Sequence, residues 1–157
     1  MQRLIHFNRM INYKRTNSSD PHFQELIRQL DADLTVTNGD EQAKFADFNR
    51  VDKVKWVIVA YHKNQPIGCG GFKINEKRAE IKRMFVHKNY RGQKIGEQIL
   101  KELEAWARED GFSGAILETG INQHEAQNLY KKLGYQIIPN YGPYVNFSDS
   151  LCMAKDF

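Results

Sequence analysis

The chain has 157 residues, 41% of them hydrophobic and 27% charged, with a net charge of +4; this is the balance of one domain with enough apolar material for a packed core. No apolar run approaches the roughly 20 residues a membrane helix needs, and the opening MQRLIHFNRM lacks the apolar segment of a secretory leader. Cys69 and Cys152 are too few and too far apart in sequence for a disulfide framework or zinc site, and the five histidines show no ligand spacing, so the expectation is a reducing, cytoplasmic setting and no metal.

Ile11 to Arg15 reads as a short edge strand. Ser18-Ser19-Asp20-Pro21 supplies a cap and a proline for a helix whose apolar positions Phe23, Leu26, Ile27 and Leu30 predict an end near Asp31. The stretch from Leu34 to Phe48 is the least regular: Asn38-Gly39 signals a turn, and Phe45 and Phe48 suggest a short helix. Lys55 to Tyr61 and Pro66 to Ile74 read as the strands of a hairpin, with Gly68, Gly70 and Gly71 predicting a bulge or a close backbone approach. Asn75-Glu76-Lys77 turns the chain into a third strand, Ala79 to Val86.

A tight basic turn, Tyr90 to Gly96, then opens a helix with Ile95, Ile99, Leu100, Leu103, Trp106 and Ala107 on one face, stopped at Gly111. Gly114 to Glu118 is an apolar strand placed by the crossover parallel to Ala79–Val86. Asn122 to Leu133 is a second amphipathic helix carrying Ala126, Leu129, Tyr130 and Leu133. Tyr135 to Ile138 and Leu151 to Lys155 close the sheet, joined by a loop that begins Pro139-Asn140-Tyr141-Gly142-Pro143. The pattern is one α/β domain of the mixed-sheet (α+β) kind over residues 1–157.

Charge is concentrated rather than spread. Between Arg78 and Lys94 lie six cations and a single carboxylate, Glu80. A strand turning into a helix there aims unpaired N–H groups and a helix dipole at one point, which suits phosphates and, with the focused charge, a compact polyanionic ligand. No G-K-[ST] follows the turn, against a P-loop nucleotidase. A nucleic-acid-binding domain is a weaker alternative, since neither a basic helix nor an aromatic platform is visible.

Arg91-Gly92-Gln93-Lys94-Ile95-Gly96 resembles the Q/R-x-x-G-x-G/A signature of the GNAT superfamily of N-acetyltransferases, with Lys94 where that family usually has its middle glycine. A helical φ/ψ at Lys94 would keep its N–H usable and add a charge. Gln123 to Tyr135, QHEAQNLYKKLGY, resembles the family's N-x-x-A-x-x-L-Y-x-K-x-G-F/Y, with Gln123 in place of asparagine, and Ser150 to Lys155 resembles its last strand. The similarity covers roughly Lys55 to Lys155.

The resemblance implies a six- to seven-stranded sheet flanked by about four helices, with two parallel strands splayed at the cofactor site. It implies acetyl coenzyme A as acyl donor, its pyrophosphate on Arg91, Gly92, Gln93, Lys94, Ile95 and Gly96. Its pantetheine arm would lie along Met84, Phe85 and Val86, with Gln123 and Tyr130 as further contacts. It implies direct transfer to a primary amine of a small molecule or peptide in a ternary complex, and small homodimers are frequent in the family. A coenzyme A-binding regulatory module without activity is the alternative.

Tyr130 is the expected general acid, because a phenol with a reference pKa near 10 stays protonated and can serve a departing thiolate. Glu80 is the expected base; its other reading is an ion pair with Arg78 or Lys82 on an exposed strand face. Neither cysteine shows the His-and-acid setting of an acyl-carrying nucleophile. Lys82, Arg83, Tyr141, Tyr144 and Asn146 are the expected acceptor-side residues, their cations favouring a carboxylate-bearing amine.

Overall fold

A computed structural model of the chain describes residues 10–38 and 54–157, so the short helix expected around Phe45 and Phe48 lies outside the described residues. In chain order the elements are β1 (Ile11–Thr16), α1 (Pro21–Asn38), β2 (Trp56–His62), β3 (Gln65–Asn75), β4 (Arg78–Val86), α2 (Ile95–Glu109), β5 (Gly114–Gly120), α3 (His124–Lys132), β6 (Gln136–Ile138) and β7 (Ser150–Asp156). Short 3₁₀ turns at Lys88–Tyr90 and Gly142–Tyr144 complete the described part.

Asp20 caps α1: its Oδ1 accepts from the His22 amide at 2.9 Å, with Pro21 in the first helical position. The helix runs to Asn38 rather than ending near Asp31. Asp31 and Asp33 take up tertiary partners, Arg83 Nη1 at 2.7 Å and Arg91 Nη2 at 2.7 Å, and these ion pairs hold the added turns against the sheet. The β2–β3 hairpin turns on Lys63 and Asn64, both at positive φ (49° and 66°), as a two-residue turn matched to strand twist requires.

The seven strands lie in the order β1-β2-β3-β4-β5-β7-β6, antiparallel except for β4 against β5. One face packs on α2 and α3 through Ile58, Ile67, Phe72, Ile81, Ile99, Leu103 and Met153; the other packs on α1 through Phe23, Leu26, Val57, Val59, Cys69 and Phe85. The glycines of β3 serve both purposes expected of them. A Cβ at Gly70 would collide with Met84 and crowd Ile99 and Leu103, so α2 could not sit so close to the sheet. The register also slips here, Arg83 and Met84 of β4 facing Gly70 alone, with Arg83 at φ 61°. That is a β-bulge, and it bends the end of β4.

α2 is not apolar throughout its buried face. Glu104, 3% exposed, receives Tyr135 Oη at 2.8 Å and Lys155 Nζ at 2.8 Å. A buried carboxylate is tolerated when such donors satisfy it.

Candidate active site

The bend in β4 opens a fork. β4 and β5 pair from Arg78↔Gly114 to Ile81↔Leu117 and then stop, while β4 stays with β3 as far as Val86 and β5 with β7 as far as Gly120. The expected splay is therefore present, and its cause is the bulge at Arg83. On the α2–α3 side it leads into a cavity of about 390 Å³.

Met84, Phe85 and Val86 line that cavity, as do Arg91, Gly92, Lys94, Ile95, Gly96 and Tyr130. Gln93 and Gln123 are not in its wall, and Glu80 is elsewhere. Tyr90, Leu129 and Lys132 also line it and escaped the sequence reading. Tyr90 sits one residue before the signature and Lys132 within the second segment, so adjacency was the available signal.

Lys94 corrects the expectation of a helical backbone: it is left-handed, φ 62° and ψ 22°, and stands at the N-cap of α2. It makes no side-chain cap bond, and Gln98 is the first residue whose amide reaches back to it, at 3.1 Å. The amides of the first turn are thus left to any anion that enters. Gln123 Nε2 is buried with no partner among the described residues. An uncapped helix start opening onto a cavity fits an elongated ligand with a diphosphate end, while the orphaned Gln123 donor lies outside that wall. Arg91 is engaged otherwise: Nε donates to Val86 O at 2.9 Å and Nη2 to Asp33 at 2.7 Å, so it fastens the turn to β4 and α1.

On the opposite face, the fork holds a buried polar cluster. Glu80 and Lys82 pair at 3.0 Å with side chains 5% and 6% exposed, and Asn75 Nδ2 donates to the second Glu80 oxygen at 3.0 Å. The ion pair is real, but its face is covered, not exposed. Burial lowers the Lys82 pKa against the pull of Glu80. Lys82 Nζ also reaches Tyr144 Oη at 2.5 Å. With Arg83 on Asp31, both acceptor-side cations already have carboxylates of the fold, which removes the basis for preferring a carboxylate-bearing amine.

Glu118 was missed. It is the first residue of β5 past the fork, half-buried, and burial pushes its pKa up to about 7, with Ser150 and Lys82 pulling it down and Glu80 adding to the rise. Burial also raises the Tyr130 phenol, and the Glu118 charge raises it further, so these two groups feel each other across the fork. In sequence, Glu118 was only the polar end of an apolar strand. Both thiols are raised by burial, which keeps them protonated and poor nucleophiles. No metal-holding group of residues occurs among those described.

A mixed sheet with one forked parallel pair, a basic strand-to-helix turn at the fork and a buried tyrosine lining the cavity there is the arrangement of a coenzyme A-dependent acyltransferase. The model of the acetyltransferase (GNAT) family matches residues 22–135, and the chain belongs to that family. An IAA acetyltransferase of Azospirillum brasilense is 34% identical over 135 residues, covering 83% of this chain and 88% of that protein. A structure from Klebsiella pneumoniae, provisionally described as an acyl-CoA N-acyltransferase, superposes with a TM-score of 0.78 at 31% identity, over 95% of this chain and 99% of that one. A Bacillus anthracis structure, provisionally described as a streptothricin acetyltransferase and solved with acetyl coenzyme A, matches with a TM-score of 0.57 at 28% identity, over 66% of this chain and 63% of that one. No helix among the described residues is long and apolar enough to cross a membrane.

Proposed function

We propose that this acetyltransferase transfers acetyl from acetyl coenzyme A directly to a primary amine of a small molecule or peptide, both substrates meeting at the fork between β4 and β5. The observation that carries the reading is the fork itself, with a cavity on one side, a polar cluster on the other and Glu118 between them. Acetyl coenzyme A supplies the acyl group as a thioester. The amides from Gly92 to Gly96 hold its diphosphate, with Lys94 adding charge; Arg91 braces the turn. Main-chain groups of Met84 and Val86 pair with the pantetheine arm where β5 offers no ladder, and Gln123 Nε2 supplies a further donor.

Tyr130 keeps its proton at Oη, because burial holds the phenol above its usual range. It donates that proton to the sulfur as the C–S bond breaks. Glu118 takes the proton the amine loses as the N–C bond forms, and exchange with water resets both groups. A carboxyl near 7 is far better matched to that task than one at its usual 4.3. Glu80, the base expected from sequence, has both oxygens occupied by Lys82 and Asn75; its part is to neutralise Lys82.

The protein works as a single catalytic domain in the cytoplasm, where its two thiols stay reduced, and as a homodimer; light scattering on a sizing column tests the last. Tyr130→Phe tests the reaction. The ring contact with Tyr135, 5.8 Å between centres, needs no hydroxyl. Coenzyme A titration should therefore match wild type while kcat falls by about 10²-fold, within the usual range for a lost proton donor. Unchanged turnover would retire the assignment, and no heat of coenzyme A binding by wild type would retire the cofactor site.

A further inference from the structure

α3 closes on Gly134, at φ 96°, and the amides beyond its last turn reach back: Gly134 N donates to Lys131 O at 3.1 Å and Tyr135 N to Tyr130 O at 3.0 Å. A helix closed in this way brings the residue after its glycine beside the third residue from its end. Here these are Tyr135 and Tyr130, both buried, with ring centres 5.8 Å apart at 61°. The ring contact belongs to the helix end; the Tyr135 hydroxyl is an addition to it. That hydroxyl crosses to α2 and donates to Glu104 Oε2 at 2.8 Å, while the other carboxylate oxygen takes Lys155 Nζ of β7 at 2.8 Å.

Stability does not account for a carboxylate at this place. Leucine at 104 and phenylalanine at 135 would bury similar surface without desolvating a charge, and exchanges of that kind are often neutral or stabilising. What a fully bonded buried network adds is a single arrangement of its members. Burial raises the Tyr135 phenol above its usual range and the Glu104 charge raises it further, so Tyr135 stays the donor and its ring cannot shift without breaking that bond. The ring it braces is that of Tyr130, which lines the cofactor cavity. α2 is also the helix whose first turn takes the diphosphate in the proposed function, and Glu104 lies about 12 Å along the same rod from Gly96.

We infer that Tyr135 and Glu104 are positioning residues for the proton donor: anchored at Oη to α2, Tyr135 holds the Tyr130 ring at a fixed place relative to the helix that holds the diphosphate, so one element sets both ends of the bound thioester. This rests on the acetyl-transfer reading with Tyr130 as acid. The proton still passes from Tyr130 Oη to the sulfur as the C–S bond breaks. Tyr135 keeps its own proton on the bond to Glu104 and takes part in no bond change.

The test reads release of the coenzyme A thiol from acetyl coenzyme A, with whichever of 1,4-diaminobutane, tyramine, L-lysine or glycylglycine the wild type acetylates fastest. Tyr135→Phe keeps the ring contact and removes only the bond to Glu104. Its kcat should fall about five- to tenfold, with both KM values within about twofold of wild type and coenzyme A titration unchanged. In a Tyr130→Phe background the same change should cost nothing more, because a misplaced donor and an absent one are equivalent. Glu104→Gln and Glu104→Leu both lose the charge pair with Lys155 and should both melt lower. Only glutamine still accepts from Tyr135, so it should keep most of the turnover that leucine loses. Unchanged kcat in Tyr135→Phe, a further loss in the double variant, or turnover that follows melting temperature in both Glu104 variants overturns the inference and leaves Tyr130 as donor. Unchanged turnover in Tyr130→Phe, or no thiol release by the wild type with any of the four amines, removes the transfer reading and this inference with it.

Discussion

Two glutamates of one cluster are expected to behave oppositely when neutralised. Glu118 has a folded pKa raised to about 7, so its protonated form suits the fold better. That contribution is complete below its unfolded pKa near 4.5 and is lost as pH rises through 7. The groups facing Glu118 are Glu80 and Lys82 from β4, Ser150 from β7, Tyr130 from α3 and the two phenols of the β6–β7 loop. Glu118→Gln should leave the melting temperature nearly unchanged at pH 5 and raise it at pH 8. It should also erase the limb of the kcat/KM profile that rises with pH through about 7. Glu80→Gln strands Lys82 in a buried site, and breaking such a pair costs about 3–5 kcal/mol. In a chain of this size that is a fall of roughly 6–20 °C, with the pH limb retained. Should Glu80→Gln remove the limb and Glu118→Gln keep it, the two roles are exchanged. Nothing local in the sequence marked Glu118, since its pKa follows from the fork and from a loop some thirty residues downstream. Glu80, by contrast, could be found from its place in the strand, with Lys82 as one of two candidate partners, but its burial could not.

The joint between β4 and α2 shows how an element can carry function at the cost of comfort. Lys94 occupies a left-handed conformation that glycine adopts freely and that costs a lysine about 1 kcal/mol or more. It stands where a serine or aspartate would ordinarily cap the helix, yet it offers no acceptor. A strained, uncapped helix start makes sense if an anion completes it. Lys94→Gly should therefore hold or raise the melting temperature of the free protein while weakening coenzyme A binding about 3- to 10-fold, both read by titration and thermal melting of the same sample. Equal affinity would mean that the backbone alone binds the diphosphate. The strands and helices around this joint were legible because apolar period and turn residues agreed at each step. Lys63-Asn64, Gly111 and Asp20 did the work of punctuation there. The end of α1 was not legible, because Asp31 and Asp33 look like helix breakers until Arg83 and Arg91 are seen beside them.

Across the whole molecule, charge and stability are separable. The net charge of +4 is small, and the cations of the β4–α2 segment already contact the fold in several places, Lys82 with Glu80, Arg83 with Asp31 and Arg91 with Asp33. The Arg91–Asp33 pair is about half-exposed, and pairs of that kind contribute roughly 0–1 kcal/mol. The two packed faces of the sheet, by contrast, owe their stability to apolar burial, on which moderate sodium chloride has little effect. Salt should consequently act on ligand binding and not on the fold. At 100 times Kd, coenzyme A stabilises by about 2.7 kcal/mol, a rise in melting temperature of roughly 5–11 °C for a protein of this length. Between 50 and 500 mM sodium chloride the free protein should melt within about 2 °C of the same temperature. Over the same range, at fixed coenzyme A, most of the ligand-induced rise should disappear as the diphosphate and its basic turn are screened from each other. A rise that survives high salt would place the binding energy in the apolar cavity wall instead of at the turn. A free protein that itself softens with salt would mean that the ion pairs joining α1 to β4 hold the fold together, and the division between a charged site and an apolar frame would have to be given up.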